Sequence, residues 1–165
     1  MKVEIVDGAL TRELRRSVLR PTLSIGEPLP GDNLDDAVHF AILDAGQPLS
    51  TCWVAPGPCP WRPEDRPAWH LRQMATVESR RGEGLGGQVV VAVVRYVAEQ
   101  GGGVLWCNAR ERAVPMYERA GFRGEGAIFT DERHTIPHLR MWRQVENLAT
   151  DSARLDDVGV IGRPG

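Results

Sequence analysis

The chain is short of lysine, of tyrosine and of long apolar runs. Lys2 is the only lysine among 20 basic residues, so arginine carries nearly all the positive charge. The 22 acids outnumber them, leaving a net charge of −2. Duplex nucleic acid usually demands a basic excess, so no nucleic-acid role is expected. The longest apolar run, Val89–Val94, is far below the ~20 residues of a membrane-spanning helix. Residues 1–20 hold no apolar core of the secretory type. A cytoplasmic protein with no membrane partner is therefore expected. Cys52, Cys59 and Cys107 are odd in number and form no C-x-x-C, which points to reduced thiols. No metal site is expected: no histidine pair sits near the cysteines at finger spacing, and Pro137 opposes the helix that would align His134 with His138. A P-loop is missing as well.

What is present suits one soluble domain. The 165 residues are 42% hydrophobic and 25% charged, ordinary values for a globular chain. Val3–Val6 alternates as a strand, and Thr11 is placed to cap a helix that stops before Pro21. Residues 21–36 read as a loop. Ala37–Leu43 and Leu49–Val54 flank Asp44-Ala45-Gly46-Gln47 as a hairpin. Residues 55–68 hold five prolines and form a second loop. Trp69–Val77 follows as a strand. Leu85, Val89, Ala92, Val93, Tyr96 and Val97 keep helical spacing despite their β propensity, and Gly101 ends the helix. Val104–Asn108 is a short strand after it. Strand, turn, helix and strand make a crossover unit, so these two strands should be parallel. Val114–Ala120 predicts a short helix, and Ala127–Thr130 with His138–Arg143 a last strand pair. Residues 1–143 form the expected domain, and 144–165 a poorly ordered tail.

The informative segment is Arg80-Arg81-Gly82-Glu83-Gly84-Leu85-Gly86-Gly87, between a strand and the long helix. A helix start offers unpaired amide hydrogens, and glycines let a ligand approach them. With adjacent arginines this makes a cradle for a pyrophosphate. Gly82, Gly84 and Gly87 also match G-x-G-x-x-G. A nicotinamide site would want an acid at the tip of the next strand, which instead ends Trp106-Cys107-Asn108. A ligand-free tight turn is the third reading.

Arg81-x-x-Gly84-x-Gly86, following Leu71–Val77, resembles the acyl-CoA signature of the GNAT superfamily of N-acyltransferases. Asn108-Ala109-Arg110 and Ala113–Phe122, with Tyr117 and Gly121-Phe122, resemble its second conserved stretch. Together they cover roughly 71–141. Ile136-Pro137-His138-Leu139-Arg140-Met141 is similar to one bacterial branch. The resemblance implies an α/β (α+β) domain with a mixed, mostly antiparallel sheet flanked by helices and one parallel strand pair forming the CoA cleft. It also implies acetyl-CoA as donor, an amine acceptor and direct transfer in a ternary complex.

On that resemblance Arg81, Gly82, Glu83, Gly84, Leu85, Gly86 and Gly87 hold the pyrophosphate. Met74, Ala75, Thr76 and Val77 offer a strand edge to the pantetheine amides and a donor to the oxyanion. Tyr117 protonates the departing thiolate; a core aromatic is its other reading. Asn108 faces the cofactor or simply ends a strand. Arg110 stands where many members carry asparagine, and could reach a phosphate or an acceptor carboxylate. No acid precedes Glu78 on the fourth strand, so His138 is the candidate base and His70 the second. The other reading of either is a surface or strand histidine satisfied by backbone. Trp61 could line an acceptor pocket. Glu27, Asp32, Asp35 and Asp36 could attract a cation or form a solvated loop. A non-catalytic acyl-CoA-binding module and a nicotinamide oxidoreductase are the alternatives, and edge strands could support a homodimer.

Overall fold

The computed structural model describes residues 1–148. Seven strands form one sheet: β1 (Val3–Val6), β2 (Val38–Asp44), β3 (Gln47–Pro56), β4 (Ala68–Thr76), β5 (Gly103–Arg110), β6 (Arg123–Phe129) and β7 (His138–Val145). Three helices join them: α1 (Gly8–Leu19), α2 (Leu85–Glu99) and α3 (Val114–Arg119). The sheet order is β1-β2-β3-β4-β5-β7-β6. Only β4 and β5 run parallel, as the strand–helix–strand pattern requires. The expected mixed, mostly antiparallel α/β sheet with one parallel pair is thus observed.

Local chemistry explains each turn. Ala45 and Gly46 both take positive φ, 49° and 79°, giving β2 and β3 a two-residue hairpin turn of the primed type. α2 forms despite six valines because Leu85, Val89, Val93 and Val97 repeat every four residues and are all buried. Tertiary burial overrides their weak propensity. The core lies between the sheet and α2 with α3: Leu71, Leu105, Cys107 and Met141 meet the helix valines there. A second cluster, Cys59, Ala68, Val104, Trp106 and Trp142 with Trp61, covers another part of the sheet.

Several boundaries differ from expectation. α1 starts at Gly8, not after Thr11: the Asp7 carboxylate caps it by accepting from the Ala9 N–H at 2.9 Å. Thr11 is instead fully buried one turn in, its hydroxyl bonded to the Gly8 carbonyl. β5 runs two residues past Asn108 to Arg110, held by the Arg110↔His138 pairing on β7. β6 begins four residues before Ala127; Arg123–Ile128 are exposed, so no burial pattern marked it. β7 extends past Arg143 to Val145, which is buried, so the first two residues of the expected tail belong to the sheet. The rest of that expectation, from 149 on, lies outside the described residues.

Candidate active site

β4 and β5 pair only over Ala68–His70 with Val104–Trp106, then separate. Beyond that point both strands continue, β4 to Thr76 and β5 to Arg110, with no pairing between them. The sheet therefore opens into a wedge. A cavity of about 2010 Å³ takes in this wedge and reaches on to β1 and the end of α1. Single small-molecule pockets run to roughly 300–1,000 Å³, so this space admits two reactants.

The open side of β4 carries free backbone groups. The Val77 N–H crosses to the Leu49 carbonyl of β3 at 2.8 Å. Amides alternate along a strand, so Ala75 also faces β3, while Met74 and Thr76 present theirs to the wedge. A bulge precedes them. The register with β3 slips between Thr51 and Trp53, and Gln73 takes a φ of 56°. Its amide locks the bulge: Oε1 accepts from Arg15 Nη1 at 2.9 Å and Nε2 donates to the Pro30 carbonyl at 2.6 Å.

The glycine loop stands at the mouth of the wedge. Gly82 and Gly84 have φ of 83° and 80°, where a side chain would be strained, and a Cβ on either would meet only open space. Gly84 is the N-cap of α2 and no side chain caps the helix. The first intrahelical bond is Gln88 N–H to the Gly84 carbonyl at 3.1 Å, so the amides of Leu85, Gly86 and Gly87 have no helical partner. Gly86 differs, because a Cβ there would lie 2.9 Å from Met116 Sδ. That glycine lets the helix start close against α3.

Tyr117 lines the same cavity from α3 and is only 3% exposed. Its ring packs edge-on against Phe122 at 5.3 Å. Burial, with Cys107 and Cys52 nearby, pushes the phenol well above 10, so it stays protonated. Burial likewise pushes the Cys107 and Cys52 thiols up. Both thiols are neutral and inert as nucleophiles.

The opposite wall is built from alternate residues of three strands. Leu71, Leu105, Cys107, Ala109 and Met141 face the core, so His70 and Arg72 on β4, Trp106, Asn108 and Arg110 on β5, and His138 and Arg140 on β7 face away from α2. His70 stacks flat on Trp106 with centroids 3.6 Å apart. Burial first, then Arg72, lowers its pKa to about 3, so it is neutral. His138 is buried, with Nδ1 2.6 Å from the Ile136 carbonyl. A carbonyl only accepts, so Nδ1 carries the proton and Nε2 is the free lone pair. Burial lowers the pKa of His138, against a raising effect of that hydrogen bond. His134 lies beside it, rings 4.6 Å apart, with Nδ1 2.9 Å from Asp131 Oδ1. Among the described residues no three His, Cys, Asp or Glu converge as a metal would need.

The sequence signature of the acetyltransferase (GNAT) family matches residues 11–122. The chain belongs to that family. Its sequence is 28% identical over 130 residues to YitI of Bacillus subtilis, an uncharacterised N-acetyltransferase, covering 78% of this chain and 87% of the relative. YjcF of the same organism, also an uncharacterised N-acetyltransferase, is 26% identical over 112 residues, 66% and 71% of the two chains. Among solved structures, an acyl-CoA N-acyltransferase from Pseudomonas aeruginosa superposes with a TM-score of 0.66 at 20% identity, covering 86% and 98%. An aminoglycoside 6′-N-acetyltransferase complexed with coenzyme A gives 0.63 at 15%, covering 88% and 97%. At such identities these structures speak for the fold.

Of the residues anticipated for this GNAT site, Met74, Ala75, Thr76, Arg81, Gly82, Gly84, Leu85, Gly86, Gly87, Asn108, Arg110, Tyr117 and His138 all line the one cavity. Val77 and Glu83 do not. Val77 gives its amide to β3, and Glu83 binds Arg80 at 2.7 and 3.1 Å. Trp61 and His70 also line it. Asp32 does not belong to a solvated loop: its side chain is 7% exposed and bound by Arg12 and Arg15. The residues not anticipated are Gln73, which makes the bulge, and Met116, which packs at the helix mouth. A break in the alternation of β4 after Arg72 was the available signal for Gln73.

Proposed function

We propose that this GNAT enzyme transfers an acetyl group from acetyl-CoA to a primary amine of a small molecule or peptide, by direct attack in a ternary complex. The observation that carries the reading is the single cavity joining the uncapped α2 amides, the open edge of β4 and the Tyr117 ring. The amides of Leu85–Gly87, with Arg81 beside them, suit the pyrophosphate of CoA. The N–H and C=O groups of Met74 and Thr76 suit the amides of the pantetheine arm, as an added strand would. The cavity's size suits two reactants held together, which removes several kcal/mol of barrier by proximity. Three unpaired cysteines accord with a cytoplasmic setting.

The amine attacks the thioester carbonyl. The new C–N bond forms as the carbonyl π pair moves to oxygen, where a β4 amide stabilises it. The intermediate collapses, the C–S bond breaks, and the protonated Tyr117 hydroxyl donates to the thiolate. His138 Nε2 takes the proton leaving the amine, directly or through water. Because burial holds His138 below its ordinary 6.5, it is a free base at neutral pH. The acid limb of kcat/KM should therefore fall below pH 6.5, and His138→Ala should flatten it.

An amine library screened for release of free CoA thiol tests the proposal. One acceptor class should turn over, and Tyr117→Phe should lower kcat by ~10²–10⁴-fold while keeping the thermal shift given by acetyl-CoA. Full turnover by Tyr117→Phe contradicts the role given to Tyr117. Absence of an acetyl-CoA thermal shift in the native chain contradicts the whole reading.

A further inference from the structure

The charge lining the cavity is out of proportion to the chain. Nine of its lining residues are arginine and two are acidic, in a protein of net charge −2. The acids are Asp131 and Glu132. Asp131 is already occupied, accepting from the His134 ring and from the N–H groups of Arg133 and His134. Arg81 stands at the glycine loop, where a nucleotide's phosphates would account for it. Arg72 is on the other wall and needs another explanation.

Arg72 is half-buried on β4 and faces away from α2. Its guanidinium lies over the face of Trp53, 5.3 Å from the ring centroid, and makes no side-chain hydrogen bond among the described residues. No carboxylate pairs with it among the described residues. The charges that act on it are like charges: burial first, then Arg20 and Arg133, disfavour its cationic form. Arg20 presses on Arg110 as well. Guanidinium groups converging on a partly desolvated wall repel one another, and an anion seated among them relieves that. The planar fork of arginine matches a carboxylate with two parallel hydrogen bonds. The open edge of β4 begins at Met74, roughly 7 Å further along the strand. An anion held by Arg72 thus lies one small molecule's length from the thioester position.

We infer that the acceptor is an amine that also carries a carboxylate, as a free amino acid or a short peptide does, and that Arg72 holds that carboxylate with Arg133 and Arg20 around it. This rests on the acetyl-transfer reading. His70, neutral and stacked on Trp106, forms the flat floor beside the anion site.

The test uses the full chain with acetyl-CoA and matched probes: L-amino acids, their carboxamides and their decarboxylated amines, with O-phosphoethanolamine as a separate arm. CoA thiol release gives kcat/KM for each. The carboxylate member of each set should lead by roughly tenfold or more, the effect of one charge-assisted hydrogen bond. Arg72→Gln should erase that lead through KM, and Arg72→Lys should restore part of it. Equal or better use of the uncharged partners overturns the inference, as does a lead that survives Arg72→Gln or preference for the phosphate probe. Turnover of carboxylate-free amines alone sinks this inference and leaves acetyl transfer standing. Loss of the acetyl-CoA thermal shift would remove the parent reading, and this inference with it.

Discussion

Arg15 and Arg72 are both withdrawn from solvent on the same side of the sheet, and they keep different company. Arg15, wholly buried in α1, commits every arm of its guanidinium to the protein. Nε bonds Thr11 at 3.1 Å, Nη1 bonds Asp32 at 2.8 Å and Gln73 at 2.9 Å, and Nη2 bonds the Gly8 carbonyl at 2.8 Å. Arg72, one residue from Gln73, has an indole face beneath it and no side-chain hydrogen bond among the described residues. A buried cation with every guanidinium nitrogen bonded is architecture. A half-buried cation that faces a cavity with no paired acid among the described residues is poised for something from outside. Gln73 joins the two, since its bond to Arg15 fixes the bulge that turns the Met74 and Thr76 amides into the wedge.

Breaking Arg15 should have the largest effect. Arg15→Ala leaves Asp32 and the Gly8 carbonyl without their strongest donor and should cost about 3–5 kcal/mol, read by urea unfolding. Arg15→Lys should recover little, because one ammonium cannot reach four acceptors in fork geometry. A loss below about 1 kcal/mol would put Arg15 in the same class as Arg72.

The pH dependence sharpens the same contrast. Burial alone would raise the Asp32 carboxyl, but the Arg15 bond, the Leu29 N–H and the nearby arginines hold it below its ordinary value. A carboxyl lowered on folding stabilises the protein above its unfolded pKa of about 3.9, and that contribution is lost as pH falls through the folded value. Stability measured from pH 6 downward should show this acid limb, and Arg15→Ala should flatten it.

The glycine loop gives a smaller effect. Gly84→Ala places a side chain at φ 80° and should cost about 1–2 kcal/mol. The KM for acetyl-CoA should rise at the same time. Arg72→Gln should be smallest in stability, within about 1 kcal/mol, because it gives up the contact with the Trp53 face and no side-chain hydrogen bond among the described residues. Its whole effect should appear with the acceptor.

Legibility in the sequence followed locality. The glycine loop, the α2 stripe and the Tyr117 helix are read from neighbours within one or two turns, and all seven strands can be found from alternation and turn residues. Parallel pairing of β4 with β5 follows from the helix between them. The edges were harder. β6 is exposed on both faces, so burial left no pattern in Arg123–Gly126, and the capping bond of Asp7 appears only once the helix exists. The Arg15–Asp32–Gln73 network joins residues 17 and 58 positions apart, which no local pattern reveals. The same holds for Val77, whose amide is taken by β3, and for the gathering of arginines from α1, β4, β5 and the loop after β6.

A crystal structure with acetyl-CoA bound tests the central claim most directly. The account predicts the pyrophosphate against the amides of residues 82–87, the pantetheine beside Met74 and Thr76, and the sulfur within hydrogen-bond reach of the Tyr117 hydroxyl. A pyrophosphate seated away from that loop, or a sulfur separated from Tyr117 by packed side chains, would contradict it.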